Sequence, residues 1–224
     1  MHSLSNTVFV FDLDDTLYSE RSYELSGITS VWNNLLKYNP DISKIISLEL
    51  LINNREQWID FIIQIDPNNF TFSRDILLDN YRSHFPSIEL YEDSAQLLSF
   101  FVENKAKIAM ITDGRSSSQR QKLKALRIEH LFNPILISEE TGFVKPNSES
   151  YIAIESQYPN HQYLYFGDNP KKDFVTPNKL GWMTYGLKNR GNNVHPQLHK
   201  SRHSIYMPQL WLNNLSEFIP RVTS

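Results

Sequence analysis

Residues Thr7 to Phe11 form an uninterrupted β-branched and aromatic run that stops at Asp12, with Asp14, Asp15 and Thr16 directly behind it. Such a run reads as a strand buried on both faces of a parallel sheet. A strand that ends in carboxylates places them at the C-terminal edge of the sheet, where open α/β folds keep their ligand crevice. Three acids within four residues repel one another, and oxygen-only ligands suit a hard cation, magnesium above all. The plainer alternative is a turn followed by a helix N-cap, for which Asp and Thr are also favoured. The chain beyond this stretch decides between the two.

After Tyr18 the pattern changes. Tyr23, Ile28, Val31, Trp32, Leu35 and Leu36 fall at three-to-four spacing and predict a helix that stops near Asn39-Pro40. Three more helices are expected: Ile42 to Ile52 with Asp41 as cap, Arg55 to Ile65 stopped by Pro67, and Ser73 to Phe85 stopped by Pro86. Four helices without a strand between them describe an inserted module, residues 19–89, whose aromatics (Trp32, Trp58, Phe61, Tyr81) supply its own core. Long segments of this kind beside a site serve as lids.

From Leu90 strands and helices alternate. Helices are expected at Glu92 to Glu103, Ser116 to Arg127, Ser148 to Tyr158 and Pro170 to Leu180. Strands are expected at Lys107 to Thr112, Pro134 to Ser138, Tyr163 to Asp168 and Trp182 to Tyr185. The segment Lys188 to His203 is polar and irregular, and a short strand at Ser204 to Met207 and a helix at Pro208 to Phe218 follow. The alternation predicts an α/β fold, a doubly wound parallel sheet made by residues 1–18 and 90–224.

Composition narrows the function. There are no cysteines, which excludes disulfides, thiolate metal sites and a cysteine nucleophile, and fits a cytoplasmic protein. A net charge of −3 without long runs of either sign points away from nucleic acid and anionic membranes. No signal peptide or membrane-spanning run is expected, and a monomer or weak homodimer is. The seven glycines fit neither the dinucleotide fingerprint nor the P-loop.

In a parallel sheet all the strand ends lie on one edge, so Asp12 and Asp14, Thr112, the Lys145 loop, and Asp168 with Asp173 converge. They supply a carboxylate nucleophile, a second carboxylate, a hydroxyl, a cation and a metal-binding acid pair. Phosphoryl transfer through a covalent carboxyl-phosphate needs this set.

Asp12-Leu13-Asp14-Asp15-Thr16, Ile111-Thr112-Asp113-Gly114, Lys145-Pro146 and Gly167-Asp168-Asn169-Pro170-Lys171-Lys172-Asp173 resemble, in order, the four motifs of the haloacid dehalogenase-like (HAD) hydrolase superfamily. The insert after the first motif is similar to that family's helical cap, so the resemblance covers the whole chain. It implies a Rossmann-like core and a magnesium-dependent phosphomonoesterase. Asp12 would attack phosphorus; Asp14 would protonate the leaving oxygen and later activate water. Thr112, the neighbouring Asp113 and Lys145 would hold the phosphoryl group, Lys145 also offsetting charge on Asp12. Magnesium would sit on Asp12, the backbone carbonyl of Asp14 and Asp168, with Asp173 completing or supporting that shell. Tyr18, Arg21 and Arg115 lie beside the motifs and are candidate substrate contacts by adjacency alone.

Two departures from the family pattern are visible: Asp113 stands where Asn is commoner, and Lys172 where Asn often precedes the final acid. Asp14 favours a phosphate ester over a carbon–halogen bond, since a departing halide needs no proton. The expected substrate is a small phosphate ester such as a nucleoside monophosphate or sugar phosphate. A sugar-phosphate mutase of the same fold stays open, though such mutases usually carry Gly at the Asp15 position, and so does a non-catalytic binding protein. His195, His199 and His203 have the four-residue spacing of a helical metal site, but Pro196 argues against a helix there.

Overall fold

A computed structural model describes residues 4–65, 72–197 and 204–223. The chain divides into two compact units, Met1–Glu20 with Glu89–Ser224, and Arg21–Ile88.

The first unit is built on a six-stranded sheet, β1 (Thr7–Phe11), β2 (Lys107–Thr112), β3 (Ile135–Ile137), β4 (Gln162–Gly167), β5 (Met183–Leu187) and β6 (Leu210–Leu212). Its order is β3-β2-β1-β4-β5-β6, and every pairing is parallel. β1 lies between β2 and β4, at the point where the chain switches from winding one way to winding the other. Ligand crevices of open α/β sheets form at such a point.

Both faces of β1 are covered, as its unbroken apolar run requires, and alternate residues take opposite sides. Phe9 stacks on Phe101 with ring centroids 4.2 Å apart and meets Phe218 edge-on at 5.9 Å. Phe11 stacks on Phe166 at 4.6 Å. Val8 and Val10 belong to a separate cluster with Ala109, Ile111, Tyr151, Ile154, Tyr165, Phe174 and Trp182.

The second unit contains α1 (Glu20–Tyr38, beginning one residue before the unit), α2 (Leu48–Asn53), α3 (Trp58–Ile65) and α4 (Arg74–Ser83). Its core joins Ile28, Val31, Trp32, Leu35, Leu51, Trp58, Ile62 and Leu77, with Phe61 and Tyr81 packed against it. Trp58 stacks on Tyr81 at 5.6 Å. The helix expected over Ile42 to Ile52 is instead a 3-10 turn, Pro40–Lys44, followed by α2. Ser47 breaks it: its hydroxyl accepts the Leu50 N–H at 3.1 Å and starts a new helix. α3 begins three residues later than expected, at Trp58; Pro67 lies outside the described residues.

In the first unit, α5 (Glu92–Glu103), α6 (Ser116–Ala125) and α8 (Glu149–Gln157) match the periodicity. The expected loop through Gly142 opens with a single helical turn, α7 (Ser138–Thr141), closed by Gly142 at φ 79°, the left-handed conformation glycine adopts freely. The helix expected from Pro170 shrinks to α9 (Val175–Lys179). Residues before it form a turn closed by Asp173, whose Oδ2 accepts the N–H groups of Asp168 and Asn169. Pro177 is tolerated because it sits in the first turn of α9, where no helical N–H is required.

The C-terminal expectations are corrected too. Ser204–Tyr206 is a 3-10 turn, and β6 lies inside the segment read as a helix, followed by a 3-10 turn at Leu215–Phe218 and α10 (Ile219–Thr223). β6 lies against Gly186: a Cβ there would sit 2.4 Å from Pro208 Cγ and 2.7 Å from Trp211 Cε3. Three strand residues are too few to show a period, so the helical reading had nothing to oppose it.

Phe9→Ala removes a fully buried ring from the centre of one face and should cost about 3–5 kcal/mol in urea unfolding. A loss below about 1 kcal/mol would mean the face repacks freely.

Candidate active site

The β1–β4 ladder continues one bond past β1, with the Asp12 N–H donating to Phe166 O at 2.9 Å. This places Asp12 beside the end of β4, where Asp168 follows Gly167. Asp12, Asp168 and Asp173 are all buried, and one oxygen of each lies within 4.8 Å of the others.

Lys145 reaches this cluster from the loop after α7. Its Nζ is 2.8 Å from Asp12 Oδ1 and 2.7 Å from Asp173 Oδ1, and it donates to the Tyr165 hydroxyl at 3.2 Å. The two carboxylates hold the Lys145 ammonium well above its ordinary range against the opposing effect of burial. Burial pushes the Asp12 carboxyl up to about 7; Lys145 pulls the other way and the Asp173 charge adds to the rise. Asp168 is raised well above the usual carboxylate range, first by burial and then by the charges of Asp173 and Asp12.

Three carboxyl groups meet here with one ammonium in contact, so the pocket has more negative than positive charge to offer. A hard divalent cation fits it: the donors are all oxygens and the surplus charge is anionic. Asp173 is the least available of the three, because one oxygen holds Lys145 and the other holds two backbone N–H groups. Asp12 and Asp168 are therefore the more available side chains for such a cation, with Asp173 fixing the turn that follows Asp168. Asn193 donates to Asp168 Oδ2 at 2.8 Å and settles that carboxylate's orientation.

Asp14 stands in a different setting. Lys122 Nζ donates to its Oδ1 at 2.7 Å, Gln119 Nε2 to its Oδ2 at 3.1 Å, and the Tyr18 hydroxyl also donates to Oδ1. Burial works to raise this carboxyl, but Lys122, Tyr18 and Gln119 outweigh it and hold it below the usual carboxylate range. Its side chain is thus engaged outside the three-carboxylate cluster.

Thr112 is buried and its Oγ1 accepts from the same Gln119 Nε2 at 2.6 Å. Asp113 carries no free carboxylate for a ligand: Oδ1 accepts the Lys145 N–H at 3.0 Å and Oδ2 the Lys172 ammonium at 3.2 Å. Asp15 sits at φ 52°, a conformation Asp tolerates in turns, and ties Glu20 N–H to Val194 N–H through its two oxygens.

Of the candidate substrate contacts, Tyr18 is fully buried with its hydroxyl on Asp14. Arg115 precedes α6 and is exposed. Arg21 belongs to the helical unit, its Nε 4.0 Å from Glu24 Oε2. His195 lies in an irregular, exposed stretch; His199 and His203 lie outside the described residues.

Lys122, Gln119 and Asn193 carry site geometry that motif spacing did not reveal. The first two had a signal. α6 packs beside a sheet yet its sequence is almost wholly polar, so Gln119, Lys122 and Ser118 fill part of its buried side. A buried polar side chain must find a partner. Asn193, in an irregular loop, gave none.

Removing Lys145 while leaving Asp12 and Asp173 in place should be strongly unfavourable. Lys145→Met is expected to lose about 3–5 kcal/mol of stability in metal-free buffer at neutral pH, measured by urea unfolding. An unchanged midpoint would mean the two carboxylates do not depend on it.

A family model described as haloacid dehalogenase-like hydrolase matches residues 9–186. The glyceraldehyde 3-phosphate phosphatase of Methanocaldococcus jannaschii is 27% identical over 192 residues, covering 78% of this chain and 82% of that protein. The enzyme of the same name from Methanopyrus kandleri is 30% identical over 106 residues, and the chain spans only 46% of its length. Among solved structures, the HAD-hydrolase YfnB from Bacillus subtilis, bound to magnesium, superposes with a TM-score of 0.68 over the whole of both chains at 17% identity. Among the described residues no helix is long and apolar enough to cross a membrane.

Proposed function

This chain belongs to the haloacid dehalogenase-like hydrolase family, and we propose that it is a magnesium-dependent phosphatase acting on a small phosphate monoester through a phospho-aspartate at Asp12. The observation that carries this reading is the separate setting of two carboxyls two residues apart. Asp12 faces Lys145 in the acid cluster, while Asp14 is held by Lys122, Gln119 and Tyr18. Two acids kept in different environments can take different roles.

In the first half-reaction an Asp12 oxygen bonds to phosphorus as the ester P–O bond breaks, and the leaving oxygen takes a proton from Asp14. An arriving phosphoryl group brings negative charge beside Asp14, which favours the protonated form that step requires. In the second, Asp14 takes a proton from water, the water oxygen bonds to phosphorus, and the bond to Asp12 breaks, releasing phosphate. Lys145 and the Thr112 hydroxyl are placed to hold phosphoryl oxygens and their growing charge. A divalent cation on Asp12, Asp168 and the Asp14 backbone carbonyl would neutralise charge between nucleophile and phosphoryl group.

The phosphatase-named relatives support the reaction class. Nucleoside monophosphates and sugar phosphates are the substrate classes to test. The helical unit, inserted between β1 and α5, has the chain position of a cap that would exclude water from the reacting groups.

The test is release of phosphate from p-nitrophenyl phosphate with and without magnesium. Turnover is expected only with the metal, and Asp12→Asn should reduce it at least about a thousandfold, the scale of losing a nucleophile. Turnover that survives in Asp12→Asn would refute the covalent route. No turnover across a panel of phosphate esters would refute the phosphatase reading.

A further inference from the structure

Gln119 is 1% exposed and lies one helical turn before Lys122 on α6. Its carboxamide nitrogen is shared between two groups the reaction needs, 2.6 Å from Thr112 Oγ1 and 3.1 Å from Asp14 Oδ2. The orientation of the amide follows from Asp14. The nitrogen, not the oxygen, faces its Oδ2, and a carboxyl oxygen that bears no proton can only accept. The NH2 group has two protons, one for each partner.

This arrangement decides which way the Thr112 hydroxyl donates. A hydroxyl has one proton and two lone pairs. With Gln119 donating to Thr112 Oγ1, the Thr112 proton cannot lie along that bond and is left for another acceptor. Asp14 cannot turn its Oδ2 away without breaking the second bond of the same nitrogen. Gly114 lies beside the clamp at φ 143°, and a Cβ there would come within 3.2 Å of the Gln119 carboxamide carbon, a tight contact.

We propose that Gln119 is a positioning residue, its amide nitrogen turning the Thr112 hydroxyl proton toward a phosphoryl oxygen and fixing the Asp14 carboxyl beside it. Gln119 does not itself touch the substrate. It couples the group that grips phosphate to the group that handles the proton. The identity of the ligand rests on the phosphatase reading; the coupling does not.

The test is a double-mutant cycle read by calorimetric binding of inorganic phosphate in the presence of magnesium, with the native chain, Gln119→Met, Thr112→Val and the double variant. Gln119→Met keeps the length of the side chain and its neutrality but cannot donate. It should weaken phosphate binding about five- to tenfold, the scale of one net hydrogen bond. The double variant should bind no more weakly than Thr112→Val, because Gln119 acts through Thr112.

Losses that multiply in the double variant, native affinity in Gln119→Met, or no phosphate binding by the native chain would each overturn the proposal. Should Gln119→Met not fold, Gln119→Glu takes its place, since a carboxylate accepts where the amide donates. Retained phosphate affinity in that variant would equally overturn it. A native chain that binds phosphate but hydrolyses no ester fails the phosphatase reading alone and leaves the cycle valid.

Discussion

One ammonium group holds the C-terminal edge of the sheet together. Lys145 is buried between Asp12 at the end of β1 and Asp173 after β4, and its own backbone N–H is fixed by Asp113 after β2. Two strand ends therefore share the ammonium, and a third holds the backbone of the residue that carries it. Without it two carboxylates would be buried side by side with no ammonium in contact with either, a state far costlier than the pairing itself is worth. The apolar packing of β1 brings these groups together, and Lys145 makes their meeting tolerable. Burial first, and then the negative charge that the arrangement leaves in the cluster, make Asp12 and Asp168 hold protons more tightly than ordinary carboxylates.

A second cation, Lys122, serves Asp14 separately. Asp12 and Asp14 thus differ in opposite directions: Asp12 is raised by burial, whereas Asp14 is lowered because Lys122 and its hydrogen bonds outweigh burial. Adjacent carboxyls on one strand end would otherwise titrate alike and compete for the same partner. Their separation by two independent lysines gives each a distinct chemical character before any ligand arrives.

Much of this was legible in the residues themselves. The unbroken run from Thr7 to Phe11 announced a strand covered on both faces, and the repeated pattern of a buried strand ending in a polar cluster announced a parallel sheet with a shared edge. What escaped was held by contacts that have no period. Gln119 and Lys122 look like solvated helix residues until α6 is seen to turn them inward. Asp113 and Lys172 each depart from the family pattern, and each alone looks like an unexplained charge. The structure pairs them at 3.2 Å, so the added anion is offset by the added cation. The C-terminal strand β6 escaped because a three-residue strand shows no alternation, and its place depends on the bare backbone of Gly186. Local pattern reports which face of an element is apolar; it does not report which polar groups that face will meet.

The central claim is that Asp12 takes the phosphoryl group before water does. The most direct measurement is a rapid acid quench of the native protein during turnover of a radiolabelled phosphate ester with magnesium, followed by peptide mapping. Base-labile label on the peptide containing Asp12, absent in Asp12→Asn, is the result this account predicts. Steady turnover with no label on the protein at any quench time would mean that water attacks the ester directly, and the role assigned to Asp12 would fall.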